Sequence, residues 1–214
     1  MQIDIWKGKD LYLRVLHIQQ IDMMQLFISG KGHLNYEKIK SLKVLSISDY
    51  PKRDLIGMFS SIQLDTLSIT QCKINSLDGI EQSSCMQCVY FRYNRSLHDI
   101  SALRKVKHTL KALRIENCPK IEDFSVLSEL DNIELLELTG KNELSDLKFI
   151  NHMKSLKTFI CNMNVLDGDL TPCLDLSYVY IGKNRKHYNL KDKDMPRGTY
   201  IRGNEDIELW RRLE

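Results

Sequence analysis

Leu110-Lys-Ala-Leu113-Arg-Ile115-Glu-Asn-Cys118-Pro-Lys-Ile121-Glu-Asp-Phe124-Ser-Val-Leu127 holds two apolar patterns in succession. The first is L-x-x-L-x-I, ending in the alternation of a strand with one buried face. The second places an apolar residue at every third position, which suits a short 3-10 or α turn laid against that strand. Neither element alone can bury its apolar side.

Both patterns recur. The first is repeated as Leu42-x-x-Leu45-x-Ile47, Leu64-x-x-Leu67-x-Ile69, Cys85-x-x-Cys88-x-Tyr90, Ile133-x-x-Leu136-x-Leu138 and Leu156-x-x-Phe159-x-Cys161. Met23-x-x-Leu26-x-Ile28 also fits, and Asp175-x-x-Tyr178-x-Tyr180 fits in its second half. The clear starts lie 22, 21, 25, 23 and 23 residues apart. The second pattern follows as Ile74-Leu77-Ile80, Leu97-Ile100-Leu103, Ile121-Phe124-Leu127 and Leu144-Leu147-Ile150. Units of this kind build one continuous core only by stacking on each other.

These units resemble the leucine-rich-repeat family, whose period is roughly 20–29 residues. They are most similar to its short-repeat branch, which includes bacterial internalin-type and eukaryotic phosphatase-regulating proteins. His98-Asp-Ile-Ser-Ala-Leu103 and Glu122-Asp-Phe-Ser-Val-Leu127 resemble that branch's D-I-S-x-L box. The resemblance implies an α/β fold: a right-handed leucine-rich-repeat solenoid with a parallel concave β-sheet and short 3-10 or α turns on the convex side. The expected organisation is one domain over 1–214, with an N-terminal cap at 1–22, repeats at 23–182 and a C-terminal cap at 183–214. The alternation of Ile3, Ile5, Leu11, Leu13 and Val15 marks a β-type N-terminal cap, and Trp210 and Leu213 are expected to close the other end. At the position where the family carries a laddering Asn, the matching residues are Tyr50, Cys72, Tyr93, Cys118, Lys141 and Asn164. Irregular turns are the expectation.

Hydrophobic residues make up 43% of the 214-residue chain and charged residues 28%, which is ordinary for a folded, soluble protein. No apolar run approaches the roughly 20 residues of a membrane span, and the first residues lack the apolar core of an export signal. A cytoplasmic protein with reduced thiols is expected. Cys85-x-x-Cys88 has zinc-knuckle or redox spacing but no second pair at a usual distance. Both cysteines fall at inward leucine positions, so core filling is the expected role. Cys161 is also expected inward and Cys173 in a turn. The six histidines are scattered, and those at 98, 108 and 152 fall in turns or on the convex side. No metal and no cofactor is expected.

Asp99, Asp123 and Asp146 recur at one repeat position, so turn hydrogen bonding is expected of them. Strung one per coil, they do not converge as acid–base chemistry requires. No phosphate-cradling glycine loop or nucleophile motif occurs. No catalytic residue is expected, and the chain is read as a non-enzymatic binding module.

With starts as above, alternate side chains of each strand face out of the sheet. The outward positions of the later repeats then carry Phe91, Arg92, Arg114, Glu116, Leu135, Glu137, Ile160 and Asn162. Arginine and aromatic residues beside apolar surface are the ingredients of interface hot spots. These eight are the candidate partner-binding residues. The expected partner is a protein, with the chain monomeric when free. The sharpest reading is a dedicated inhibitor or immunity protein that neutralises a toxin or enzyme. The alternatives are a signalling scaffold or phosphatase-regulator-like adaptor, and nucleic-acid binding through residues 183–197. That segment holds six Lys/Arg and two Asp in a chain of net charge +3. Its interspersed aspartates favour a solvated loop over a nucleic-acid site.

Overall fold

The computed structural model describes residues 42–59 and 62–200 in full. Before them it describes the backbone of four strands, β1 (Trp6–Lys7), β2 (Asp10–Ile18), β3 (Ile21–Ser29) and β4 (His33–Leu34). β2 and β3 form an antiparallel hairpin, and β3 lies alongside the first strand of the main sheet. The L-x-x-L-x-I match at Met23 therefore falls in a hairpin strand, not in a parallel rung. The side chains of 1–22, and Trp210 and Leu213, lie outside the described residues.

The main sheet is parallel and runs in chain order: β5 (Val44–Ser48), β6 (Thr66–Thr70), β7 (Cys88–Arg92), β8 (Ala112–Glu116), β9 (Leu135–Thr139), β11 (Thr158–Cys161) and β13 (Tyr178–Ile181). A second parallel pair, β10 (Glu143–Leu144) and β12 (Asn164–Val165), follows two of these strands. From β6 to β11 each strand returns through a short turn, the first four where the period-three pattern predicts them. These are 3-10 turns at Ile80–Gln82, Ser101–Val106, Ser125–Glu129, Lys148–His152 and Thr171–Cys173. Ile74, Leu77, Leu97, Leu103, Leu127 and Leu147 from that pattern are buried against the strands.

Strand pairing fixes the rows. Leu45, Leu67, Val89, Leu113, Leu136, Phe159 and Val179 form one inward row, and Ile47, Ile69, Phe91, Ile115, Leu138, Cys161 and Ile181 the other. All are buried in the main core. Two expected registers are thereby corrected by one residue. The third unit is Met86-x-x-Val89-x-Phe91, not Cys85-x-x-Cys88-x-Tyr90, and the last is Leu176-x-x-Val179-x-Ile181. Cys88 consequently faces outward, in line with Thr66 and Ala112. Cys85 is half-buried, its thiol 3.4 Å from the carbonyl of Leu64. Cys161 is inward as expected, and Cys173 ends a turn.

The same correction changes the account of the turns. In the third unit the ladder position belongs to Asn94, and after Gly140 it belongs to Asn142. The Asn94 carboxamide accepts from the Cys72 backbone N–H at 2.8 Å and donates to the Ile69 carbonyl at 2.8 Å. Asn142 donates to the carbonyls of Cys118 and Ile121 at 3.0 and 2.8 Å. Cys72 and Cys118 alternate with them, accepting from backbone N–H and placing their thiols near carbonyls two residues back and one coil earlier. Asp49, Gln71, Tyr93 and Asn117, each just past its strand, share a left-handed φ of 51 to 56°. Gln71, Tyr93 and Asn117 donate from the backbone to the next strand's last carbonyl at 2.8 to 2.9 Å. Through β8 the turns are regular, because Cys and Asn each supply the polar atom the buried backbone requires. After β9 the expected irregularity is present: Gly140 takes a φ of 146° and donates its N–H to the Asn162 side chain.

After β13 the chain folds over the end of the stack. The Tyr188 hydroxyl accepts from the Val165 N–H and donates to the Met163 carbonyl. Asp192 accepts from the Ile181 N–H at 2.7 Å. Residues 196–198 then run antiparallel to β13: Val179 N–H donates to the Pro196 carbonyl and Gly198 N–H to that of Ser177.

Candidate functional site

The outward side of the sheet carries two central rows and a rim. One row is Val44, Thr66, Cys88, Ala112, Leu135, Thr158 and Tyr178; the other is Ser46, Ser68, Tyr90, Arg114, Glu137, Ile160 and Tyr180. The rim, at the strands' C-terminal ends, includes Arg92 and Glu116, aligned in neighbouring strands. Seven of the eight candidate partner-binding residues lie here. Phe91 does not: it points into the core between Ile69 and Ile115 with no exposure. The one-residue shift of the third unit turns Phe91 inward and Tyr90 outward, since alternate side chains take opposite faces.

Arg114 is the centre of a polar and aromatic cluster. Its guanidinium lies over the Tyr90 ring, 5.1 Å from the centroid, with Nε 3.2 Å from a Glu137 carboxylate oxygen. Its Nη2 donates to the Tyr200 hydroxyl at 3.4 Å. Only 8% of Arg114 is exposed, so this ion pair is largely screened from water. Removing one member of such a pair leaves the other charge buried alone. An Arg114→Glu exchange is therefore expected to lower stability. Below it, Cys88, Tyr90, Ala112 and Leu135 form a small apolar cluster separate from the main core. Burial there pushes the Tyr90 phenol above its ordinary value, so it is neutral at physiological pH.

On the rim, Arg92 Nε meets a Glu116 carboxylate oxygen at 2.9 Å, and its guanidinium lies 5.9 Å from the Tyr93 ring centroid. Tyr93 is 40% exposed. Asn162 spends its carboxamide oxygen on the Gly140 N–H at 2.7 Å, a turn-holding bond. At the C-terminal end Arg197 lies over Tyr178 and Tyr180, at 5.6 and 6.0 Å, while pairing with Asp192 at 2.6 Å. Tyr180 is 45% exposed. Tyr90, Tyr93, Tyr180 and Tyr200 were not among the sequence candidates. The Tyr93-Asn94 pair carried the missing signal, because Asn at the ladder position sets the register.

On the convex side a cleft of about 370 Å³ is lined by Glu122, Asp123, Phe124, Glu143, Asp146, Phe149 and His152, among others. Its aspartates are occupied. Asp123 accepts from the Ser125 N–H and Asp146 from the Lys148 N–H, both at 2.8 Å, as Asp99 does from Ser101. The Ser125 bond holds the Asp123 carboxyl below its ordinary range. This is the turn bonding that the recurrence predicts, not a proton-transfer pair. Among the described residues no cluster of three or more His, Cys, Asp or Glu is placed to hold a metal ion. No described helix is long and apolar enough to cross a membrane. In the basic segment, the Lys191 ammonium donates to the carbonyls of Arg185 and Tyr188, and Arg197 is paired as above.

No family model matches this chain, and no curated relative matches it. Solved structures do. An internalin C2 from Listeria monocytogenes superposes with a TM-score of 0.58 at 18% identity, covering 74% of this chain and 70% of that one. The chain is a leucine-rich-repeat solenoid. An internalin F from the same organism gives a TM-score of 0.54 at 16% identity, covering 78% of this chain. The solenoid spans only half the length of that internalin F chain. At such identities the likeness is one of fold, and it covers the parallel strands and 3-10 turns described above.

Proposed function

We propose that this solenoid is a non-enzymatic module that binds one protein partner through its concave face and the rim at the strands' C-terminal ends. The finer reading is that the partner is a toxin or enzyme, neutralised in the cytoplasm by an immunity or inhibitor protein. The observation that carries the binding reading is the exposed aromatic and arginine surface of the later rungs, Arg92 with Tyr93 and Arg197 with Tyr178 and Tyr180. Tyr and Arg are the residue types that dominate interface energetics. Tyr93 adds a second argument. A left-handed non-glycine residue costs on the order of 1–3 kcal/mol, and an exposed ring contributes little burial to offset it. A role in recognition accounts for tyrosine where Asp, Gln and Asn serve in the equivalent turns.

The non-enzymatic reading is supported by the carboxylates, which are distributed one per coil and held in turns. The inhibitor reading is supported by surface individuality: no two rungs present the same outward residues from β7 to β13, which suits one partner better than many.

The test is capture of the tagged protein from its source cell at moderate salt, with identification of what co-purifies. One protein at near-equal ratio, whose activity falls on binding, is the expected result. Tyr93→Ala with Tyr180→Ala is then expected to lose about 30-fold or more in affinity, the scale of one hot-spot residue, with an unchanged melting temperature. Full retention of the partner by that double variant, or an eluate dominated by nucleic acid, sinks the proposal.

A further inference from the structure

Along β5 to β9 the outward rows of the sheet offer a partner little floor. Ser46, Ser68, Cys88, Tyr90, Ala112 and Leu135 are each no more than 5% exposed. The edge beyond the strands' C-terminal ends is different. Those ends lie in register from Ser48 to Thr139, so the turns that follow them stack coil on coil. The turns carry Lys52 and Arg53, Lys73, Arg95, Lys120 and Lys141, at least one cation after each strand from β5 to β9. All six are exposed, and none forms an ion pair among the described residues. The Arg53 guanidinium donates to the Lys73 carbonyl of the next coil at 3.4 Å, so charges of successive turns lie side by side. Over five coils the row spans about 19 Å at ordinary strand spacing.

Several cations elsewhere on the coils are matched: Lys43 with Asp65, Lys157 with Glu134, Arg104 with Glu129 and Lys105 with Glu81. On the edge, by contrast, the carboxylates are engaged and the cations are not. Asp54 accepts from the Ile56 N–H, Glu143 from the Asn164 side chain, and Glu116 pairs with Arg92. Asp49, in the first turn, is the exception. Like charges stacked in this way repel one another and oppose the compact state. An anionic counterpart relieves that repulsion. Tyr93, exposed in the middle turn beside Arg95, is the aromatic element of the same row. A nucleic-acid strand is held by a groove and by several rings on which its bases stack. This row is a ridge of turns, and Asp49 within it suits a lysine or arginine of a protein but repels phosphate. We propose that the edge from Lys52 to Lys141 receives an acidic face of a protein partner, with Tyr93 as its anchor. That this face belongs to the partner of the concave side rests on the proposed function. The affinity of the edge for acidic polypeptide does not.

The probe is a short fluorescent poly-L-glutamate chain, titrated with the full-length protein and followed by anisotropy. Binding is expected at low ionic strength and is expected to weaken as salt rises to about 0.15 M, where charges are screened within about 8 Å. Arg95→Glu with Lys120→Glu is expected to weaken it about tenfold or more, with the melting temperature unchanged because both side chains are exposed. Lys111→Glu with Lys154→Glu, exposed lysines ahead of the strands, makes the same change in net charge and is expected to bind nearly as wild type. Carbodiimide cross-links to the probe are expected at Lys73, Lys120 and Lys141 rather than at Lys111 and Lys154. No binding at low salt overturns the proposal, and so does an equal loss in the two charge variants. Single-stranded oligothymidylate bound more tightly than polyglutamate overturns it in favour of a nucleic-acid edge. The probe is not the partner, so these outcomes remain decisive if the capture experiment fails.

Discussion

Phe91 fills the core between two neighbouring rungs and touches no water. Phe91→Ala is therefore expected to cost about 3–5 kcal/mol of stability, read as a lower urea midpoint. Leu113→Ala, inward in the next rung, is expected to cost about 2–5 kcal/mol. The buried thiols give a second residue-scale prediction. Burial pushes Cys72 up to about 12, Cys118 to about 11 and Cys161 to about 12. In the unfolded chain such thiols ionise near about 8.5. The unfolded state therefore releases protons first as pH rises. The stability these groups contribute is complete below that value and is lost progressively up to their folded values. Alkaline denaturant titrations should show this fall, and Cys161→Ala should make it shallower. An unchanged slope in that variant would remove the thiol from the account. Cys85, half-buried, is expected to react first with a thiol reagent.

The turn ladder is where one side chain holds two coils together. Asn94→Ala leaves the Cys72 N–H and the Ile69 carbonyl without their partner, and each buried group so orphaned costs about 1–3 kcal/mol. Asn94→Asp, which keeps the acceptor but loses the donor, should fall between wild type and Asn94→Ala in chemical denaturation. The strand and turn elements were legible in the sequence because a half-buried strand and a three-residue turn impose different apolar periods. The register of β7 was not. Cys88-Val-Tyr-Phe-Arg is apolar on both faces, so period-two alternation has nothing to distinguish. The closed concave surface is the physical reason, since it demands apolar residues outward as well as inward. The same ambiguity misplaced Phe91, whereas Arg114 and Glu137 were read correctly because charge in a strand points out of the core. The hairpin of β2 and β3 was missed for a related reason: Met23-x-x-Leu26-x-Ile28 satisfies the repeat pattern, and a local pattern cannot say whether its strand pairs parallel or antiparallel.

Across the whole molecule each rung is supported by its two neighbours, so local stability follows position in the stack. Amide exchange is expected to be slowest in β7, β8 and β9 and faster toward β13. Uniform protection across all seven strands would show instead that the stack opens as one unit. The solenoid and its parallel sheet followed from repetition alone, since stacking leaves few other arrangements. The course of residues 183–200 did not, because an end cap occurs once and has no period. That cap has one more consequence. A terminal parallel strand is a template on which a second copy could add its own first rung. In this protein the Val179 N–H and the Ser177 carbonyl on the outer side of β13 are already spent on residues 196 and 198. Head-to-tail polymerisation through that end is blocked by the chain itself, which fixes the length of the stack at the rungs the sequence encodes.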